Sequence, residues 1–464
     1  MVFSSFVFIC IFLPAAFVLD RIMPNVKLKN LVLMVLSVLF YAYGEMFYVL
    51  LMILSSIINY AGALLIDKGQ KKKLFLGLTV IIDLGILCVF KYTGFIIETL
   101  NSFISYGFHV PEIALPIGIS FFTFQALSYV VDVYRGEVEV QKNYGNVLLY
   151  ISFFPQLIAG PIVKYHDINK QIADREETSE LTAKGFRRFI VGLSKKVLIA
   201  NTMGGIADII FNMTAASINL PLAWLGAVAY AFQIFYDFSG YSDMAIGLGW
   251  IFGFRIKENF LHPYGASSIK DFWRKWHVSL STWFKDYVYI PLGGNRKGKG
   301  RTVINKFIVF FLTGLWHGAA WTFVLWGLYH GAFLMLEEVI PALQKLPKLI
   351  GNIYSLIVVV VGFVIFRAES IGQAGMMIAK MFTGMGANAE AATTISYLLN
   401  PWNVCILIVA FLFMAPVQSV LSKTNIKENG IVDKLTYVVV IVLFAWCMLR
   451  LSASTYNPFI YFRF

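Results

Sequence analysis

The sequence predicts an all-α polytopic membrane protein, and three observations carry that expectation. First, 58% of its 464 residues are hydrophobic and only 14% are charged, whereas a soluble domain is about half apolar and a quarter charged. Second, apolar runs of membrane length recur along the whole chain; a spanning helix needs roughly 20 such residues. Third, short basic loops punctuate those runs, at Arg21, Lys27 and Lys29 and again at Lys68, Lys71, Lys72 and Lys73. Length alone would suggest two or three soluble domains. Composition argues instead for one membrane unit, residues 1–464, with N-terminal helices over 1–110, a core over 111–340 and C-terminal helices over 341–464.

Candidate spans fall at 4–19, 30–45, 47–66, 74–91, 112–131, 145–163, 186–205, 221–238, 241–254, 304–317, 319–336, 350–366, 401–421 and 434–451. Several are short or broken by Gly or Pro. We expect about eleven full spans, the rest being re-entrant or interfacial, because irregular backbone at membrane depth survives only inside protein or beside water. No positive residue precedes Arg21, unlike a secretory signal peptide; the first segment reads as a retained span with its N-terminus outside. The positive-inside rule then places the basic loops in the cytoplasm.

The middle of the chain is more basic still. Between 255 and 306 stand eleven Lys and Arg (Arg255, Lys257, Lys270, Arg274, Lys275, Lys285, Arg296, Lys297, Lys299, Arg301, Lys306) against Glu258, Asp271 and Asp286. Topology and anionic lipid account for part of such an excess. The functional reading is a cytoplasmic surface that docks an acidic or phosphorylated donor, a coenzyme A thioester or an acidic carrier protein. A nucleic-acid role is not expected in a chain without a soluble domain.

His317 is the residue that stands out most. It lies in FIVFFLTGLWHGAAWTFVLWGLYHGAFLML, an uncharged stretch between Lys306 and Glu337. An ionisable side chain at that depth is a functional-site hypothesis by default, and imidazole is suited to moving protons near neutral pH. Trp316 precedes it. His330, 13 residues on, would point about 220° away on one ideal helix, so one straight helix cannot aim both at one site; His330 reads equally as a hydrogen-bonded packing histidine. Gly314 with Gly318, and Gly327 with Gly331, bracket the histidines as small-xxx-small pairs that let helices approach closely.

Two further constellations carry polar groups. In DFWRKWHVSLSTWFKDYVYIPLGG (271–294), Trp273, Trp276 and Trp283 among Arg and Lys read as an amphipathic helix at the membrane surface, with His277 and Ser281 four apart on one face. In AFQIFYDFSGYSDMAIG (231–247), Gln233 and Asp237 share a helical face. Asp237 and Asp243 are the only charges from Pro221 to Phe254 and must be paired or face water; a structural network and contact with the site are the two readings. Ser239-Gly240 suggests a break. The four cysteines (Cys10, Cys88, Cys405, Cys447) form no cluster and read as buried free thiols. No GxSxG, HExxH, Ser-x-x-Lys, P-loop or GxGxxG pattern emerges, and His109, His166 and His262 read as solvated loop residues.

Several long strings occur in an order that resembles the membrane-bound O-acyltransferase family. They are LPIGISFFTFQALSYVVDVYRG (115–136), FFPQLIAGPIVKY (153–165), FQIFYDFSGYSDMAIG (232–247), NFLHPYGASSIKDFWRKWHVSLSTWFKDYVYIPLGG (259–294) and GLWHGAAWTFVLWGLYHG (314–331). The likeness is greatest to the alginate O-acetyltransferase branch. The teichoic-acid D-alanyl transferase branch shares the FWxxWHxSLSxWFxDYVY core and ranks second. The resemblance implies a ring of tilted helices pierced by a central funnel. It implies that His317, in the WHG motif, is catalytic, with His277 of the FWRxWH motif as its partner. Gln233, Asp237, Asp243, Ser281, His330 and Trp316 are possible supporting residues.

The implied reaction moves a short acyl group, acetyl by preference, from a cytoplasmic thioester (acetyl-CoA or an acyl-carrier protein) to a hydroxyl. The acceptor is a cell-surface glycan or an extracytoplasmic partner of the SGNH type. No bound cofactor and no metal is required. The expected location is a bacterial cytoplasmic membrane. A transporter or flippase is the reading from another class, since broken helices with midplane charges also mark transporters.

Overall fold

The computed structural model describes residues 1–69, 71–104, 107–386, 388–414, 430–453 and 456–460, and among them it contains helices and no strands. In chain order the α-helices are α1 (Leu13–Ile22), α2 (Val26–Ala42), α3 (Tyr48–Asp67), α4 (Lys72–Phe103), α5 (Ile119–Arg135), α6 (Tyr144–Ser152), α7 (Phe154–Leu157), α8 (Tyr165–Ala173), α9 (Ser179–Ser194) and α10 (Asn201–Phe211). There follow α11 (Leu220–Ile251), α12 (Ile269–Lys275), α13 (Val278–Phe284), α14 (Gly298–His317), α15 (Trp321–Val339), α16 (Lys348–Arg367), α17 (Ile371–Thr383), α18 (Ala389–Leu398), α19 (Pro401–Met414) and α20 (Gly430–Ala453).

The chain is an all-α polytopic membrane protein. Among the described residues, five helical segments are long and apolar enough to cross a bilayer: Tyr48–Asp67, Lys72–Phe103, Ser179–Phe211, Lys348–Arg367 and Lys434–Ala453. The third joins α9 to α10 through a π-helical stretch, Lys195–Ala200. A sixth forms if α18 and α19, bent 73° from one another, count as one broken span. The expected count of about eleven full spans is not confirmed among the described residues. The span expected over 401–421 runs past Met414, beyond the described residues.

Several expected boundaries differ: α4 runs on to Phe103, past the span read at 74–91, and α5 starts only at Ile119, inside the span read at 112–131. The spans read at 221–238 and 241–254 are one continuous helix, α11, so the break at Ser239-Gly240 does not occur. Gly240 serves close packing instead: a Cβ there would lie 2.7 Å from the Gly192 carbonyl oxygen. The span read at 145–163 is α6, the single turn α7 and then non-helical backbone up to Lys164. Gly118, at φ +79°, opens α5 in a conformation that L side chains rarely adopt, and a Cβ there would sit 2.9 Å from the Leu157 carbonyl.

The helices group into two compact units, one of Met1–Phe189 with Ser242–Glu258, the other of Ile190–Tyr241 with Asn259–Phe464. In the first, Asp83 of α4 accepts hydrogen bonds from Ser55 (3.0 Å) and Asn59 (2.7 Å) of α3, which satisfies a carboxyl at membrane depth. Three arginines hold the 242–258 segment. Arg21 donates to the Ile251 carbonyl at 2.9 Å, Arg175 to that of Phe252 at 2.9 Å, and Arg188 to the Asp243 carboxylate at 2.8 Å.

In the second unit, α14 and α15 meet glycine to glycine. A Cβ on Gly314 would lie 2.5 Å from the Phe323 carbonyl, and one on Gly327 would lie 2.4 Å from that of Phe310. The small-residue reading holds, but the partners are Gly314 and Gly327 across the pair. Gly318 and Gly331 face the Phe323 and Phe310 side chains. The cysteine reading needs correction: Cys10, Cys88 and Cys405 lie exposed on their helices, and only Cys447 is buried.

Candidate active site

α14 ends on His317, and Gly318 leaves the helix with extended backbone. That break, not a straight helix, separates His317 from His330. The His317 side chain is 6% exposed. Its ring sits among aromatic edges: centroids lie 5.0 Å from Trp316, 4.9 Å from Trp326 and 5.2 Å from Phe366, all near perpendicular.

His277 belongs to the same unit. The FWRKWH segment is not one amphipathic surface helix. α12 closes at Lys275, and Trp276 is extended. His277 is left-handed (φ 45°, ψ 54°) and caps α13. A bulky residue in that region is strained and persists only where its surroundings over-determine it. Here they do. The Asn259 carbonyl accepts from the Val278 amide at 2.9 Å, and the Leu261 amide donates to the Lys275 carbonyl at 2.9 Å. The indoles of Trp273, Trp276 and Trp283 are buried within the protein, which corrects their reading as the apolar face of one membrane-surface helix. His277 is the N-cap of α13, and its carbonyl accepts the first backbone bond of that helix, from the Ser281 amide at 3.1 Å.

His277 is fully buried. Its Nδ1 lies 3.2 Å from Asn259 Oδ1 and 3.4 Å from Ser279 Oγ, while Nε2 has no hydrogen-bond partner among the described residues. The ring packs edge-on against Phe238 at 4.5 Å and lies 6.1 Å from the Trp316 indole. Burial holds its pKa well below the usual histidine value, and the charge that His317 would carry lowers it further. The structure therefore places His317, Trp316 and His277 in one aromatic array.

The other candidates fall elsewhere. His330 lies inside α15, fully buried, with Trp273, Trp326 and Tyr329 rings at 5.1, 5.2 and 5.3 Å. Among the described residues neither ring nitrogen has a hydrogen-bond partner, so in place of the expected hydrogen-bonded packing histidine stands an aromatic-caged one. Asp237 pairs with Lys196 at 2.9 Å and accepts from the Ile460 amide at 2.8 Å; it pins the 456–460 segment. Gln233, one turn earlier, is buried beside Gly204. Asp243 is in the first unit, paired with Arg188, which also binds Glu258. Both carboxylates are thus paired, as their depth requires.

His109 and His262 are exposed. His166 is not a solvated loop residue: it lies in the first turn of α8, its Nδ1 2.9 Å from the buried Asp132 carboxylate. The residues that sequence reading missed are Asn259, Lys196 and Arg188. Each is a partner supplied by a distant segment, though Asn259 opens the same NFLHPYG string that leads into FWRKWH.

The family model for membrane-bound O-acyltransferases matches residues 119–372, a stretch that includes both His277 and His317. The chain belongs to the membrane-bound O-acyltransferase family. It is a multi-pass membrane O-acyltransferase. A protein of Azotobacter vinelandii named "Probable alginate O-acetylase AlgI" is 39% identical over the full length of both chains. The "Peptidoglycan O-acetyltransferase" of Helicobacter pylori is 32% identical over all of this chain and 98% of that one. The "Teichoic acid D-alanyltransferase" of Bacillus subtilis is 32% identical over 47% of this chain and 58% of its own. The alginate likeness thus covers the whole molecule and the teichoic-acid likeness about half of it.

Proposed function

We propose that this O-acyltransferase moves an acetyl group from a cytoplasmic thioester to a hydroxyl outside the cell membrane, with His317 as general base. The observation that carries the reading is the buried array of His317, Trp316 and His277. A hydroxyl is a poor nucleophile until a base takes its proton as attack begins, which is worth about 10²–10⁴-fold. In the proposed step the acceptor oxygen forms a bond to the thioester carbonyl carbon while its proton passes to His317. The tetrahedral intermediate then expels the thiolate, which takes the proton back from the imidazolium. Atoms and charge balance without a metal or redox partner.

The full-length likeness to an alginate O-acetylase and a peptidoglycan O-acetyltransferase supports acetyl as the group and an extracytoplasmic glycan, or a partner protein serving one, as the acceptor. The basic residues between 255 and 306 support a cytoplasmic donor side, where acetyl-CoA or an acidic acyl carrier would dock. On this reading the N-terminus is outside and the membrane is the bacterial cytoplasmic one. D-alanyl transfer is the second reading, favoured only by the half-length likeness to teichoic acid enzymes.

Purified protein in detergent tests the reading. It should release free thiol from acetyl-CoA or an acetyl-carrier thioester when a glycan acceptor is supplied. Absence of acyl transfer from every thioester offered would reject it, and exclusive use of D-alanyl carrier would favour the second.

A further inference from the structure

The tautomer of His277 is decided by its neighbours. Asn259 is fully buried, and its Oδ1 receives the Ser279 backbone amide at 3.1 Å and the Ser279 hydroxyl at 2.9 Å. A backbone N–H only donates. The Asn259 atom facing it must therefore be the carbonyl oxygen, since an amide NH₂ there would set donor against donor. That same oxygen lies 3.2 Å from His277 Nδ1. Oxygen of an amide only accepts, so Nδ1 carries the hydrogen. The Ser279 hydroxyl, its own hydrogen given to Oδ1, presents a lone pair to Nδ1 as well. In a neutral imidazole one nitrogen bears the proton and the other does not. Nε2, buried and without a hydrogen-bond partner among the described residues, is the bare nitrogen.

From this geometry we infer that Asn259 is a positioning residue that locks His277 in the Nδ1–H tautomer, so that Nε2 enters the reaction as a hydrogen acceptor. The inference rests on the acyl-transfer reading and deepens it. Neutral His277 has no N–H to offer a developing oxyanion, because its single N–H is engaged by Asn259. Its chemistry is confined to receiving a hydrogen, as a second proton acceptor beside His317. The left-handed backbone at His277 accompanies this contact: Nδ1 meets Asn259 Oδ1, and Nε2 meets no hydrogen-bond partner among the described residues. Among the described residues, the titratable group that bears on His277 is His317 of α14. Phe238 of α11, Trp316 of α14 and Ser279 of α13 add no charge. Four segments therefore hold the ring, α11, α13, α14 and the stretch that begins at Asn259, and among the described residues only Asn259 and Ser279 reach its nitrogens.

Two variants separate positioning from mere packing, assayed with acetyl-CoA and glycan acceptor in detergent. Asn259→Leu removes the lock while keeping an amide-sized side chain; kcat should fall about tenfold or more with donor KM within a factor of about two. Asn259→Asp keeps an acceptor on Nδ1–H and adds a negative charge next to the ring. That charge raises the His277 pKa, by about 1–3 units for close pairs, so the acid limb of the kcat–pH profile should move to higher pH while activity above it survives. An unmoved acid limb in Asn259→Asp overturns the inference, and so does wild-type kcat in a folded Asn259→Leu. The Asp variant decides the matter if the Leu variant fails to fold. A wild-type protein that transfers no acyl group at all would instead overturn the reading on which this one stands.

Discussion

His277 and His317 share a neighbour, the Trp316 indole, whose ring centroid lies 6.1 Å from His277 and 5.0 Å from His317. Two motifs far apart in sequence are thereby joined in one aromatic array. Trp316→Ala should loosen both rings and lower kcat by about tenfold or more, while Trp316→Phe retains most activity. Equal kcat in Trp316→Ala and wild type would show that the indole does not order the histidines.

α14 and α15 approach closely at Gly314, three residues before α14 ends on His317. A methyl on Gly314 would meet backbone, not a flexible side-chain tip, so the helices must part. Gly314→Ala should cost about 1–3 kcal/mol of stability, the usual range for overpacking. Thermal unfolding in detergent measures this; an unchanged midpoint would contradict the close approach.

Lys196 and Asp237 form a buried ion pair that also holds the 456–460 backbone. Removing one partner leaves an uncompensated charge, at about 3–5 kcal/mol. Lys196→Met should therefore destabilise more than the double variant Lys196→Met, Asp237→Leu. A double-mutant cycle with no coupling energy would refute the pairing.

His166 offers a pH signature outside the membrane spans. Its hydrogen bond to Asp132 raises its pKa above the ordinary value. A raised folded-state pKa contributes stability that is fully present below the unfolded value of about 6.5 and is lost as pH rises through the folded one. Stability should thus decline over that window in wild type but not in His166→Gln. Burial acts on His277 in the opposite sense: its depressed pKa contributes stability present above about 6.5 and lost as pH falls.

The fold class and the prominence of His317 were legible because they depend on local pattern: apolar length, basic loops and an ionisable residue in an uncharged stretch; His277 drew notice only through the resemblance of its FWRxWH motif. The helix count was less so, since several membrane-depth segments are short or bent. Continuity of α11 was hidden because Gly240 signals a break and close packing equally well. The tryptophans of 271–294 misled because indoles among cations are common at interfaces, whereas here α12 and α13 fold them inward. Asn259 and Lys196 were not visible because their roles depend on partners in other segments, His277 for the one and Asp237 for the other, a relation no local spacing encodes.

The most direct measurement is transfer of labelled acyl groups from thioester donors by membranes carrying wild type, His317→Ala or His277→Ala at matched expression. The account predicts robust transfer by wild type, near-complete loss with His317→Ala and a severe deficit with His277→Ala. Full transfer by both variants would contradict it.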